Sequence, residues 1–445
     1  MPLPSGLCAL RAQDFRRFFI GYATSLLGSS TASVALAFAI LTTGGGGTEL
    51  GFVLTARIVP LVLVLLAGGV VADRLGSRQV MLTADTVRCL TQGALALLLL
   101  GAKPPLWALV ALVALWGAAE ALFTPALNAL IPRLAPDAAL SDANALLGMA
   151  ASATSIAGPA LAGVLTAVSG ASSVLALDAA SYGVSVVALL LLPRTVRSAA
   201  PASSFAADLR SGWDAFRSRT WLWVTTAHVG LMNLFVWAPF LVLGPVVAQR
   251  RLGGSAAWGL VMAGYGAGAV AGGLALLGRR PHRPLLVGTA ASLGWSLPPA
   301  TLAAGLPLAW VCAAAFAGGV GSALCTTLYT AGVQREVPPD VLARVSAYGS
   351  FGAFVLGPVG LAAAGPVSVL AGTSRVLGFG LVWQVSAVAS VLTLPAIRAA
   401  RPRRAVGPQP GDRGPAEPAG GGGAVSRRTR GRRRRRLHPR RRTPA

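Results

Sequence analysis

Arg57, Asp85, Arg88, Glu120 and Asp178 stand inside runs of otherwise apolar residues long enough to cross a membrane. A charge so placed costs at least a few kcal/mol unless it is paired, hydrated or neutralised. Such groups therefore either hold one another or take up and release protons. All five precede residue 194, whereas the apolar runs after residue 220 offer His228 and the uncharged Asn233, Tyr265, Tyr329, Gln334 and Gln384. A proton carrier, if a proton drives this protein, belongs to the first half. Glu120 falls near the middle of its run, with Trp116 one turn before it and Asn128 two turns beyond on a similar face. Burial there disfavours the charged form, which suits a group that picks up and releases protons, or a cation site. The other reading makes Glu120 a structural partner for Arg57 or Arg88. Asp85 and Arg88, one helical turn apart, have the spacing to pair locally and snorkel to the interface. Arg57 and Asp178 lie about two turns from the opposite membrane face, placed to meet a substrate or to reach the interface. His228, Trp116, Trp237 and Tyr265 read as packing or interface residues.

The elements that position these groups follow from composition. The 445 residues are 54% hydrophobic and only 12% charged, with mean hydropathy +0.66, which is the composition of a chain whose main solvent is lipid. Twelve apolar runs recur, at 18–42, 50–71, 79–100, 105–130, 143–168, 172–193, 221–247, 256–278, 284–303, 307–332, 344–366 and 375–396. Each approaches the length of about 20 residues that spans a bilayer core as a helix. The runs lack the alternation of barrel strands, so the expected fold is an all-α membrane protein of twelve transmembrane helices. Gly264, Gly268 and Gly272 recur every fourth residue and predict a close helix–helix contact. Sixteen arginines, from Arg11 to Arg344, fall on one side of this arrangement, against Lys103, Arg250, Arg251 and Arg375 on the other. The positive-inside rule puts the arginine-rich side, with both termini, in the cytoplasm, and an arginine-dominated, nearly lysine-free chain points to a bacterial coding sequence and so to a bacterial cell membrane. Cys89, Cys312 and Cys325 fall inside the runs and Cys8 on the cytoplasmic side, as small apolar residues rather than disulfides. With no nucleophile elbow, phosphate-binding loop or His/Cys cluster, the sequence points to no enzyme, no cofactor and no metal site.

Residues 194–220 form a polar connection with six runs on each side. The chain therefore divides into a first six-helix half (1–193), a cytoplasmic linker (194–220), a second six-helix half (221–400) and a tail (401–445). The halves echo each other weakly, Gly158-Pro159 matching Gly357-Pro358 and Pro132-Arg133 matching Gln334-Arg335. An even number of spans per repeat gives both halves the same orientation. The tail carries fifteen arginines against Asp412 and Glu417; this composition predicts disorder, with no nucleic-acid partner expected.

Between the second and third runs stands Gly69-Val-Val-Ala-Asp73-Arg74-Leu-Gly76-Ser-Arg78, a charged, glycine-bearing turn too short to be unstructured. With Asp14-Phe15-Arg16-Arg17-Phe18 before the first run, Asp85 with Arg88, Phe123-Thr124-Pro125, and Gly158-Pro159-Ala160-Leu161-Ala162-Gly163, it resembles the major facilitator superfamily, in its twelve-span prokaryotic drug and siderophore exporter branch. The resemblance implies a monomeric secondary transporter working by alternating access, its partners the bilayer, a small-molecule substrate and protons. It implies that Gly69, Asp73, Arg74, Gly76 and Arg78 form a conformational latch on the cytoplasmic side. Gly158, Pro159 and Gly163 would serve the packing and kink of the fifth helix. The expected activity is proton-coupled efflux of small amphipathic organic compounds such as a drug, antibiotic or siderophore. An importer or facilitator of the same fold, or a membrane sensor that does not transport, would share these features.

Overall fold

The computed structural model describes residues 9–65, 76–101, 104–135, 139–193, 205–279 and 281–395. These residues are almost entirely helical, with no strand among them. The first six helices are α1 (Gln13–Thr42), α2 (Gly47–Leu65), α3 (Ser77–Leu98), α4 (Leu106–Leu134), α5 (Leu140–Ser169) and α6 (Ala171–Leu190). A short helix, α7 (Phe205–Arg217), follows within the stretch expected as a polar linker. Its Trp213 and Phe216 rings lie 5.4 and 6.1 Å from Tyr348, so part of that connection packs on the bundle.

The second set comprises α8 (Thr220–Leu252), α9 (Ser255–Ala275), α10 (Pro284–Ala291, Ser292–Ser296 and Leu297–Ala303 in succession), α11 (Leu308–Glu336), α12 (Pro339–Phe354 and Gly357–Ala371) and α13 (Thr373–Thr393). Nine helical segments among the described residues are long and apolar enough to cross a membrane. Helices α2, α3 and α10 pack beside them. Several runs that read as plain spans are interrupted. Helix α10 tightens to a 3-10 turn at Ser292–Ser296, just before Pro298 and Pro299 remove two backbone donors. Helix α12 breaks between Phe354 and Gly357, ahead of Pro358, whose ring disfavours helical geometry in the residue before it. Helix α8 holds π turns at Asn233–Trp237 and Ala248–Leu252.

Single glycines make the tightest junctions. Gly170 (φ +81°) alone separates α5 from α6, and Gly372 (φ +91°) alone separates α12 from α13. A left-handed backbone lets the chain reverse in one residue, and only glycine adopts it without cost. Elsewhere glycine supplies proximity. An added Cβ on Gly268 would lie 3.0 Å from the Cα of Phe316, and one on Gly272 would lie 2.7 Å from the carbonyl oxygen of Val320. The expected glycine stripe therefore seats α9 on α11, backbone against backbone. Gly268→Ala is expected to force these helices apart at about 1–3 kcal/mol, read as earlier heat-induced loss of folded protein in detergent. Gly273→Ala, where an added methyl meets nothing within 4 Å, should leave that midpoint unchanged or slightly raised.

The apolar core differs between the two ends of the bundle. At the end away from the arginines one continuous cluster draws on both sets of helices, including Phe38, Ile40 and Trp116 from the first and Phe240, Leu243, Trp258 and Leu361 from the second. At the arginine-rich end there are separate clusters: Phe15, Phe18, Met81, Leu130 and Leu189 in the first set, and Leu222, Leu285, Val333 and Val345 of the second set with Phe216 of α7.

Candidate functional site

Helices α2 and α4 bring the first pair of membrane charges together. Gly117 of α4 faces the backbone of Arg57, so the two helices approach closely enough for side chains on neighbouring turns to meet. The Arg57 guanidinium donates from Nε to Glu120 Oε2 at 2.9 Å and from Nη2 to Glu120 Oε1 at 3.0 Å. Its Nη1 donates to Ser33 Oγ of α1 at 2.8 Å, and its flat face lies 4.1 Å from the Trp116 ring centroid. A bidentate fork, a third hydrogen bond and an aromatic face hold this half-buried arginine within the bundle. Glu120 is thus the partner of Arg57, and Arg57 turns inward instead of reaching the interface.

A second pair lies nearer the arginine-rich end. Arg88 Nη1 reaches Asp85 Oδ1 at 3.3 Å, one turn back on α3, as the spacing predicts. The expected snorkelling does not occur: Asp85 and Arg88 are 0% and 5% exposed. Both are held inside, because Ser185 Oγ donates to Asp85 Oδ2 at 2.6 Å and the guanidinium sits 4.4 Å over the Phe123 ring and 5.4 Å from that of Tyr182. Asp178 on α6, also 0% exposed, accepts from the Gln92 amide at 2.6 Å and from the Ser181 hydroxyl at 3.3 Å. Gly28 of α1 packs directly over this carboxylate. Tyr182 joins the groups, its hydroxyl accepting from Trp116 Nε1 at 3.2 Å and sharing a 2.7 Å hydrogen bond with Ser29. Of the five ionisable residues, four form two ion pairs; Asp178 has only neutral hydrogen-bond donors.

The turn expected to act as a latch falls largely on residues 66–75, so Gly69, Asp73 and Arg74 lie outside the described residues. Gly76 has φ +88° at the start of α3. Arg78 donates to the carbonyl oxygens of Leu189 at 2.9 Å and Leu190 at 3.0 Å, where a basic group meets the last carbonyls of α6. Gly158 packs against Ser30 of α1, and Pro159 with Gly163 faces Gly259 of α9. Two hydrogen bonds link the helix sets here: Ser255 Oγ to the Gly163 carbonyl at 3.1 Å, and Thr55 Oγ1 to the Pro358 carbonyl at 3.2 Å. Both belong to the end where the core is shared.

The second set holds a cavity of about 590 Å³ that sequence reasoning missed. Trp237, Tyr265 and Trp295 line its depth, and Gln334, Leu342 and Ser346, near the arginine-rich end, line its other extreme. Trp237 and Tyr265 rings are 4.9 Å apart, and Trp295 Nε1 donates to the Tyr265 hydroxyl at 2.8 Å. Asn233, in the π turn, donates to the Ala353 carbonyl at 3.0 Å, fastening α8 to the broken segment of α12. His228 also lines the cavity, with Nε2 3.2 Å from Ser292 Oγ. His228, Trp237 and Tyr265 are therefore cavity residues as well as packing residues, while Trp116 lies in the core. The available signal was the polar set Asn233, Tyr265, Tyr329 and Gln334, all of which line the cavity.

Comparison with known proteins agrees with this architecture. The family model described as Major Facilitator Superfamily matches residues 18–361. Macrolide efflux protein A of Streptococcus pyogenes is 26% identical over 362 residues, covering 78% of this chain and 87% of that protein. Multidrug efflux pump Tap of Mycobacterium tuberculosis strain H37Rv is 25% identical over 381 residues, covering 80% and 87%. The crystal structure of nucleoside transporter NupG matches with TM-score 0.68 at 14% identity, covering 85% of this chain and 98% of that one. A bacterial homologue of the human lysosomal transporter Spinster, inward-facing and unoccupied, matches with TM-score 0.61 at 15% identity, covering 87% and 97%. With a family model spanning most of its helices and transporters as its relatives, this chain is a membrane transporter rather than an enzyme, and it belongs to the major facilitator superfamily.

Proposed function

We propose that the protein exports small amphipathic organic compounds from the cytoplasm by alternating access, driven by protons. The observation that carries this reading is the asymmetry of the core, shared between the helix sets at one end and separate at the other. Two rigid sets joined at one end only can rock, closing one mouth as the other opens. Arginine placement makes the joined end external, so the described state faces inward, with its cavity lined as far as the cytoplasmic ends of α11 and α12. Residues 1–193 and 221–400 are the two moving halves, and the Gly69–Arg78 turn is the inner latch. Efflux relatives along most of the chain support the outward direction.

Proton coupling is supported by the charges in the first set. Three carboxylates face two guanidiniums there, and Asp178, the one without a cation, is sealed from water beneath Gly28. A site one positive charge short of balance is suited to a proton passenger. Two protons moved through about 100 mV each supply about 4.6 kcal/mol, enough for a roughly thousandfold concentration ratio.

Inside-out vesicles from a pump-deficient bacterial host test the whole reading. Imposing an acid interior should drive accumulation of a fluorescent amphipathic compound by vesicles bearing the protein, and a protonophore should abolish it. Accumulation that ignores the protonophore would remove the proton, and loss of compound under the same gradient would reverse the direction.

A further inference from the structure

The ion-paired and buried charges described above belong to the first helix set, whereas the described residues lining the cavity belong to the second. Between residues 221 and 395 the sequence holds only two acidic residues, Glu336 and Asp340, both next to the arginine-rich end. Among the described residues, no Asp, Glu, Lys or Arg lines the cavity. Its walls are aromatic rings at depth and hydroxyls towards the mouth, where Thr326, Thr330, Ser346 and Ser350 remain exposed.

We propose that this cavity is a ligand-binding site for uncharged, ring-bearing compounds rich in hydrogen-bonding groups, which it recognises without any ionic contact. The proposal rests on the exporter reading and names its substrate class. Two physical points select that class. A permanently charged compound entering an apolar cavity loses its hydration at a cost of several kcal/mol, and nothing here supplies the opposite charge. Aromatic faces at Trp237 and Tyr265 return only part of that loss to a cation. An uncharged compound escapes that penalty. It stacks on the deep rings and exchanges its water hydrogen bonds for those of Asn233 and the threonine and serine hydroxyls. A cavity of about 590 Å³ also has the size of sites that enclose drug-sized ligands.

The site further separates ligand from proton. The ligand would rest in the second helix set, whereas every ion-paired or buried carboxylate described above belongs to the first. Proton and ligand then do not compete for one carboxylate, and they communicate only through the rocking of the two sets.

Purified full-length protein in lipid nanodiscs tests the proposal by quenching of tryptophan fluorescence. The probes are chloramphenicol, an uncharged macrocyclic lactone and a naphthyl glucoside, against tetraphenylphosphonium and ethidium as permanent cations. At least one uncharged probe should bind, with affinity falling tenfold or more in Tyr265→Ala and in Asn233→Leu, while the cations bind at least tenfold more weakly and do not respond to these changes. Heat stability of each variant in the same nanodiscs shows that it is folded. Tightest binding by a cation, uncharged binding unmoved by either substitution, or no binding of any uncharged probe overturns the proposal. Vesicle export of the same probes keeps the two readings apart. Export unaffected by cavity substitutions sinks this site and spares the exporter, whereas cavity-dependent binding without movement of any probe spares the site and sinks the exporter.

Discussion

Arg57→Met is expected to lower stability by about 3 kcal/mol, the low end for removing one partner of a buried ion pair, because the two side chains retain 19% and 30% exposure. The loss arises mainly from Glu120, left facing Trp116 and Ser33 without a counter-charge. Replacing both members, Arg57→Met with Glu120→Gln, should recover most of that stability, since no unpaired charge then remains. Midpoints of heat-induced unfolding in detergent for the two single variants, the double variant and the parent give the coupling directly. Export separates structure from mechanism: the double variant should fold and insert like the parent yet drive export poorly, having lost the one ion pair that ties α2 to α4. A single variant as stable as the parent would show that the bidentate geometry contributes nothing.

The second large effect is expected at the joined end of the bundle. A Cβ on Gly259 would lie 2.9 Å from the Cα of Gly163 and closer still to the Pro159 carbonyl, so backbone blocks it on both sides. Gly259→Val should therefore penalise the described state, by about 1–3 kcal/mol for overpacking, shifting the equilibrium roughly 5- to 150-fold towards any state in which this contact is open. Spin labels at the exposed positions 168 and 251 report the outcome as a population of longer distances. An unchanged distance distribution would mean that α5 and α9 yield locally instead of parting.

The helices were legible because lipid imposes a single requirement, an apolar run of fixed length, and composition alone satisfies it. The run 143–168 became Leu140–Ser169 and 172–193 became Ala171–Leu190, within a few residues. What composition does not encode is backbone irregularity. Nothing in the residues Asn233 to Trp237 distinguishes a π turn from an α turn, since the extra residue is accommodated by packing against neighbours that only the fold supplies. The Pro298-Pro299 and Pro358 interruptions did carry a signal, in the missing backbone donors, and were smoothed over because each lay within an otherwise continuous apolar run.

The sites divided along similar lines. Asp85 and Arg88 could be paired from spacing, being one turn apart on one helix. Arg57 and Glu120 are 63 residues apart, and their choice of each other over Arg88 depends on the close approach of α2 and α4 at Gly117. Asp178 showed itself only as a buried acid; that its donors are Gln92 and Ser181 follows from the packing of α3 against α6. The cavity was hardest to find because tryptophan, tyrosine and threonine occur on lipid-facing, interfacial and cavity-lining surfaces alike. The informative residue there was Asn233, too polar for lipid and without a charged partner in sequence.

The π turn at Asn233–Trp237 also makes α8 tolerant of a change in chain length. Such a turn houses one residue more than the surrounding pitch requires, and deleting any one of the five would let the segment relax to regular geometry while the rod kept its reach across the bilayer. Everything beyond the deletion would keep its facing, whereas a residue lost from a regular stretch of α8 would turn the remainder by about 100°. Relatives one residue shorter in this stretch would thus share the same scaffold and differ only in the side chains of that single turn.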